Sequence, residues 1–406
     1  MVNNRHRPRG QGVKRLDRIG SGPFLNIQRP DPLRGPAELP GWPTANTGGK
    51  NPGWRSSRGV FVLFALLSGV VAVGLGAGCV APSPAPLNTQ NGESVVFFGE
   101  EPSPLAFRPA RGAALRLRNT YRPGAGTVTY EEGRDYRVDH DKGTVTRLPG
   151  SRLPDFRTNV LFGQAEFDHT KFPGYGNLPF FAYADYDSAD AFRWYPTPAP
   201  GDPLAAARAR LAAGGPFIVV AFGDSIANGG EASSPDLVFW RRWIADLQAK
   251  YPGARIAGVN GATGGDTTTR GLERLRTKVL DARPDLVLVA FGMNDHNRRG
   301  VPPADFERQL TEIVTRVRSG TGAAVVLVST FPPNPRWVHG TRRMDEYATI
   351  TARVAVATGS AHADVYGLWQ AMTERKRPED LLANNINHPN DFGHWIYYRA
   401  LSATGL

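Results

Sequence analysis

The pattern of apolar and polar residues divides the chain into two regimes. Between residues 95 and 200 its period is two. Residues 114–118 (ALRLR), 127–130 (TVTY), 136–139 (YRVD) and 144–148 (TVTRL) each alternate in polarity, as half-buried strands do. Turn residues at 131–135 and 140–143 separate them. This predicts a β-rich accessory domain over 95–200, with a meander inside a small β-sandwich or jelly roll. Residues 155–200 are rich in Phe, Tyr, Trp and Pro. They read either as core and inter-domain packing or as an aromatic platform for sugar rings.

From residue 214 the pattern changes. Residues 216–222 (PFIVVAF) form a continuous apolar run, as expected of a buried parallel strand, and 285–291 (DLVLVAF) and 323–329 (AAVVLVS) read as further strands. Shorter strands are predicted near 254–259 and 362–366, and helices near 235–250, 267–282, 303–318 and 342–357. This order predicts an α/β fold over 214–406, a doubly wound parallel sheet flanked by helices. In such sheets functional groups collect at the carboxyl ends of the strands.

A third pattern precedes both. Residues 59–78 (GVFVLFALLSGVVAVGLGAG) carry no charge, and Cys79 follows. Twenty apolar residues can span a bilayer, and Arg55 and Arg58 before them favour a cytoplasmic N-terminus. The same pattern suits a secretory signal. The sequence Leu75-Gly76-Ala77-Gly78-Cys79 also resembles a bacterial lipoprotein box, with Cys79 as the lipidation point. It departs from that box in having Gly76 three places before the cysteine, where Leu is usual. Segment 59–79 is therefore expected to be a signal with lipobox or a membrane anchor. The chain would be exported and held on the extracytoplasmic side of a membrane, or secreted. Residues 80–94, rich in Pro, Ser and Asn, read as a linker.

Charge and composition refine this layout. The net charge of +11 suggests a nucleic-acid partner until its location is considered. Residues 1–58 carry eleven bases against three acids and read as a disordered basic prefix. The rest is close to neutral, so the charge concerns membrane orientation and no nucleic acid is expected. The one cysteine of the chain excludes an internal disulfide framework and multi-cysteine zinc sites.

Four motifs fall at or beyond predicted strand ends. Phe222-Gly223-Asp224-Ser225-Ile226 follows the first strand and can present a serine hydroxyl on a tight turn. Asn260-Gly261-Ala262-Thr263-Gly264-Gly265-Asp266-Thr267 opens a helix, where backbone N–H groups can face an anion. No Gly-Lys-Ser/Thr follows, so it is not a phosphate loop. Phe291-Gly292-Met293-Asn294-Asp295 offers a neutral amide donor. Asn385-Ile386-Asn387-His388-Pro389-Asn390-Asp391-Phe392-Gly393-His394 lies beyond the last strand.

Together these blocks resemble the SGNH/GDSL hydrolase superfamily, over about residues 214–406. An α/β-hydrolase reading is disfavoured because no Gly-x-Ser-x-Gly elbow occurs. The resemblance implies ester hydrolysis through an acyl-enzyme, without a cofactor. Ser225 would be the nucleophile and His388 its base. The Ser225 and Gly265 backbone N–H groups and the Asn294 amide would form an oxyanion hole. One position departs from the family. Where an aspartate usually orients the histidine, three residues before it, this chain has Asn385. Asn385 or a backbone carbonyl orients the ring, or Asp391 supplies the carboxylate, or Asp391 and His394 are the true pair. A metal reading of His388, Asp391 and His394 finds no further ligand cluster. His296 would line the pocket mouth or sit satisfied in its loop, and Asp224 and Asp266 would brace theirs. The expected substrate is a small acyl ester, O-acetyl on a polysaccharide above all. A lipase, thioesterase or O-acyltransferase is the alternative within enzymes, and a non-catalytic glycan-binding surface protein the alternative outside them.

Overall fold

The computed structural model describes residues 89–188, 190 and 201–406. The basic prefix, the apolar segment with Cys79, and linker residues 80–88 lie outside the described residues. Among the described residues no helix is long and apolar enough to cross a membrane.

The β-rich segment contains seven short strands: β1 (Thr89–Val95), β2 (Ser103–Pro104), β3 (Arg116–Arg118), β4 (Thr129–Tyr130), β5 (Tyr136–Asp139), β6 (Thr144–Arg147) and β7 (Ala182–Asp187). They form two antiparallel sheets, ordered β1-β7-β3-β4 and β2-β6-β5. The run of alternating strands is therefore not one meander. The β3–β4 pair and the β5–β6 pair belong to different sheets.

Strand β1 begins inside the stretch read as a linker. Its polarity hides it, because β1 buries polar side chains that find partners deep in the fold. Glu93 is fully buried and receives Lys376 Nζ at 2.9 Å, the Tyr186 hydroxyl and the Ala106 N–H. Ser94 donates to the Asp380 carbonyl. Without apolar alternation such a strand leaves no periodic signal.

Helix α1 (Ala205–Ala213) leads into the second half. There follow β8 (Gly215–Gly223), α2 (Phe239–Lys250), β9 (Ala254–Asn260), α3 (Thr268–Lys278), β10 (Leu286–Ala290), α4 (Pro303–Thr321), β11 (Ala324–Val328), α5 (Met344–Thr358), β12 (Ala361–Ala363), α6 (Val365–Thr373), α7 (Pro378–Leu381) and α8 (Asp391–Ser402). The strands make one parallel sheet in the order β12-β11-β10-β8-β9. Predicted strand 362–366 stops at Ala363, because Asp364 caps α6 by accepting the Gly367 N–H. Predicted helix 267–282 ends at Lys278, and a separate short turn of 3₁₀-helix covers Leu280–Ala282.

The apolar runs form the centre of the sheet. Val287, Leu288 and Val289 of β10 are buried completely or nearly so. Each such side chain contributes roughly 1.5–3 kcal/mol by leaving water. The same continuous core includes Leu117, Tyr136 and Val145 from the β-rich segment. Strands β9 and β10 lie on opposite sides of β8. The connections after β8 therefore diverge, and in such sheets functional groups collect at that carboxyl edge.

Candidate active site

The candidate site is built from the ends of β8, β9 and β10. Gly223 closes β8, and a Cβ there would stand 2.2 Å from the Ala290 carbonyl oxygen of β10. Only glycine lets the two strand ends approach so closely, and the turn Asp224-Ser225 follows at once. Asp224 accepts the Ile226 N–H at 3.0 Å and braces this turn. Its complete burial pushes its pKa up to about 7.

The connection after β9 folds back against this turn. Thr263 N–H donates to the Gly223 carbonyl at 3.0 Å, and Asp266 N–H to the Thr263 carbonyl at 3.2 Å. Gly264 and Gly265 lie between them, and a Cβ on Gly264 would stand 3.9 Å from Ser225 Cβ. The Asp266 carboxylate pairs with Arg274 of α3. From β10, Asn294 Nδ2 donates to the Asp266 carbonyl at 3.0 Å and keeps a second hydrogen. Asp295 accepts the Thr268 N–H and hydroxyl and the Gly292 N–H, tying this turn to the start of α3. Burial raises its pKa to about 6. The Ser225 and Gly265 N–H groups have no acceptor among the described residues.

His388 arrives on the loop between α7 and α8. The Asn384 side-chain oxygen accepts three consecutive N–H groups, those of Ile386, Asn387 and His388, each at 2.9 Å. The ring nitrogen Nε2 of His388 stands 2.8 Å from Ser225 Oγ. With Nε2 accepting from the hydroxyl, the proton of the neutral ring sits on Nδ1. Burial lowers the His388 pKa, and the Glu231 carboxylate partly offsets that. The ring is thus neutral near neutral pH, the form that can accept a proton.

Neither proposed orienting residue bonds this ring. Asn385 is turned away: its Nδ2 donates to the Tyr175 carbonyl at 2.8 Å, and its backbone is left-handed at φ 56°. Asp391 accepts the Ser233 N–H at 2.8 Å. His394, fully buried on α8, contacts the Gly230 carbonyl through Nε2, and burial lowers its pKa to about 4. Asp391 and His394 thus do not form a pair at Ser225. His296 is also fully buried, with Nδ1 on the Met293 carbonyl, so it does not line a pocket mouth.

The carboxylate that does face His388 is one the sequence reading missed. Glu231 Oε1 lies 3.8 Å from His388 Nδ1. It follows Gly230 in a polar loop that matches no motif block, so nothing local marks it. Asn384 was missed for the same reason, as one of several asparagines in a row.

One cluster of metal-ligand type occurs among the described residues, formed by Asp168, His169 and His339. His339 bonds Asp168, and Trp337 donates its indole N–H to His169 Nδ1. Nδ1 then carries the lone pair, which leaves the proton on Nε2, the nitrogen a metal would need.

Residues 221–396 match the model of the GDSL-like Lipase/Acylhydrolase family. This segment belongs to that family. The GDSL-like domain is similar to an arylesterase of Vibrio mimicus, 29% identical over 137 residues, covering 34% of this chain and 64% of the relative. It is similar to esterase TesA of Pseudomonas aeruginosa, 30% identical over 119 residues, covering 28% of this chain and 58% of the relative. An acetylxylan esterase of Geobacillus stearothermophilus is 24% identical over 163 residues, covering 38% of this chain and 74% of the relative. The chain spans less than two thirds of the first two relatives.

Proposed function

We propose that the protein is a serine ester hydrolase that removes small acyl groups, chiefly O-acetyl, from carbohydrate. The observation that carries this reading is the 2.8 Å contact between Ser225 Oγ and His388 Nε2. The acetylxylan esterase among the relatives supports the choice of substrate. The apolar segment 59–79 and Cys79 support an exported enzyme held at a membrane.

In this reading the steps are as follows. The Ser225 proton passes to His388 Nε2 as Oγ bonds to the ester carbonyl carbon. The carbonyl oxygen takes up negative charge beside the Ser225 and Gly265 N–H groups and the second hydrogen of Asn294 Nδ2. Each such donor, when removed, costs about 2.7–4 kcal/mol of transition-state stabilisation. Protonated His388 then gives its proton to the departing alcohol oxygen, and an acyl-Ser225 remains. Water repeats the cycle: His388 takes its proton, hydroxide bonds to the acyl carbon, and Ser225 leaves with the proton as the free acid is released.

The purified full chain should hydrolyse p-nitrophenyl acetate faster than longer acyl esters and release acetate from acetylated xylan. Ser225→Ala should lose roughly 10³-fold or more in kcat. Turnover by Ser225→Ala at the wild-type rate refutes the mechanism, and preference for long acyl chains refutes the substrate class.

A further inference from the structure

We propose that Glu231, reaching in from the loop after β8, orients His388 and neutralises its protonated ring, the task that position 385 does not perform in this chain. This inference rests on Ser225 and His388 being the reactive pair.

Three independent features support it. First, His388 Nδ1 is buried without a hydrogen-bond partner, and Glu231 Oε1 stands 3.8 Å from it, placed to pair with the ring once it is protonated. In a resting site such contacts are often long and tighten when charge develops on the ring. Second, the loop is held in place at considerable conformational cost. Glu231 has a left-handed backbone, φ 64°, which non-glycine residues seldom adopt. Gly230 N–H is bonded to the Ser225 carbonyl at 2.8 Å, and the Gly230 carbonyl contacts His394 Nε2. A Cβ on Gly230 would lie 3.2 Å from His388 Nδ1, so the turn that carries Glu231 passes beside the ring edge. Third, Asp391 secures that same loop by accepting the Ser233 N–H. It thereby acts on the position of Glu231 and not on His388.

Position 385 is meanwhile committed elsewhere. Its side chain needs an N–H to satisfy the Tyr175 carbonyl, which a carboxylate cannot supply. The amide links the histidine loop to the β-rich segment, and the negative charge comes from a different loop. Glu231 is about one-third exposed, so its effect is weaker than that of a buried aspartate.

The groups that face His388 are few. Glu231 comes from the loop after β8 and Ser225 from the preceding turn. His394 on α8 is kept neutral by burial. Asp391 also lies on α8, and burial raises its pKa. Arg242 of α2 donates to the Asp391 carbonyl.

The test is an NMR titration of His388 in the full chain, with its signal assigned by His388→Ala, in wild type, Glu231→Gln and Glu231→Asp. Glu231→Gln should titrate at lower pH than wild type, and Glu231→Asp should recover most of the difference. In parallel, kcat/KM of Glu231→Gln on p-nitrophenyl acetate should fall roughly 10- to 100-fold, and its acid limb should move to lower pH. A Glu231→Gln midpoint equal to or above wild type overturns the proposal, whatever the activity. A wild-type chain that cleaves no ester refutes the esterase reading instead, because the titration reads the charge contact without turnover.

Discussion

Restoring the family's usual aspartate, Asn385→Asp, should damage this protein. Asn385 is 1% exposed, and its amide donates to the Tyr175 carbonyl at 2.8 Å. An aspartate of the same shape loses that donor and sets a carboxylate oxygen against a carbonyl oxygen. The lost hydrogen bond costs about 0.5–1.5 kcal/mol, and the uncompensated buried groups add about 1–3 kcal/mol. A net loss of roughly 2–4 kcal/mol near neutral pH follows. The sign of its pH dependence provides an internal control. Burial against a carbonyl raises the folded-state pKa of the new Asp above its unfolded value near 3.9. Protonation restores a donor, so the deficit should be smallest below about pH 4 and grow as pH rises. The assay is urea unfolding of both proteins from pH 4 to pH 8, followed by circular dichroism, with kcat/KM on p-nitrophenyl acetate measured alongside. A variant as stable as wild type at pH 7, or more active, would refute the reasoning. It would show that position 385 can turn to His388 without loss.

The remaining expectations concern the frame and the base. Lys376→Met should cost about 3–5 kcal/mol, because it leaves the fully buried Glu93 and Asp380 without their ammonium partner. The double variant with Glu93→Gln should recover a large part of this in the same unfolding assay. Asp224 has its folded pKa raised to about 7, so its contribution to stability is present below about pH 4 and is lost as pH climbs toward 7. Asp224→Asn should flatten the stability profile across that window, and an unchanged slope would refute the assignment. His388→Ala should lower kcat roughly 10²- to 10⁴-fold with little change in unfolding midpoint. His394→Ala should act chiefly on the midpoint, since that ring is buried on α8 and stacks on Phe239; equal kinetic losses would reverse the assignment of the base.

The parallel sheet was legible because its strands are apolar on both faces and its helices are periodic. Runs such as 285–291 and 323–329 admit few other readings. Ser225 and His388 were legible through motif blocks, and the structure brings their side chains together. Strand β1 was not legible. Its buried side chains are mostly polar, and those of Glu93 and Ser94 find their partners, Lys376, Tyr186 and Asp380, far away in sequence. Helices α6 and α7 escaped for a related reason, being short and confined to a stretch without strong periodicity. The polar partners of His388 were hidden likewise, since a contact between residues 231 and 388 follows from the packing of two loops and not from any local spacing.

These hidden contacts account for the departure at position 385. The stretch of α7 and the histidine loop, residues 378–390, is fastened to the β-rich segment at several points: Asp380 by the Val96 N–H and the Ser94 hydroxyl, the Ala383 carbonyl by the Asn177 N–H, and Asn385 by the Tyr175 carbonyl. Such fastening holds His388 against Ser225, because the loop has little regular structure of its own. It also constrains what residue 385 can be. An aspartate could orient the imidazole, but only by releasing one of these attachments and burying a charge against a carbonyl. Once the loop is anchored through an amide, an acid is best supplied from another element. The turn after Ser225 passes close enough, and Glu231 is its first carboxylate beyond the buried Asp224. The β-rich segment is thus linked to the Ser225–His388 contact through the histidine loop. Weakening its attachment, for instance with Asn177→Ala, which removes the side-chain amide that donates to the Glu379 and Leu382 carbonyls, should lower kcat more than KM while leaving Ser225 and its N–H donors in place. A change confined to KM would mean that the segment contributes to substrate binding and not to the position of the base.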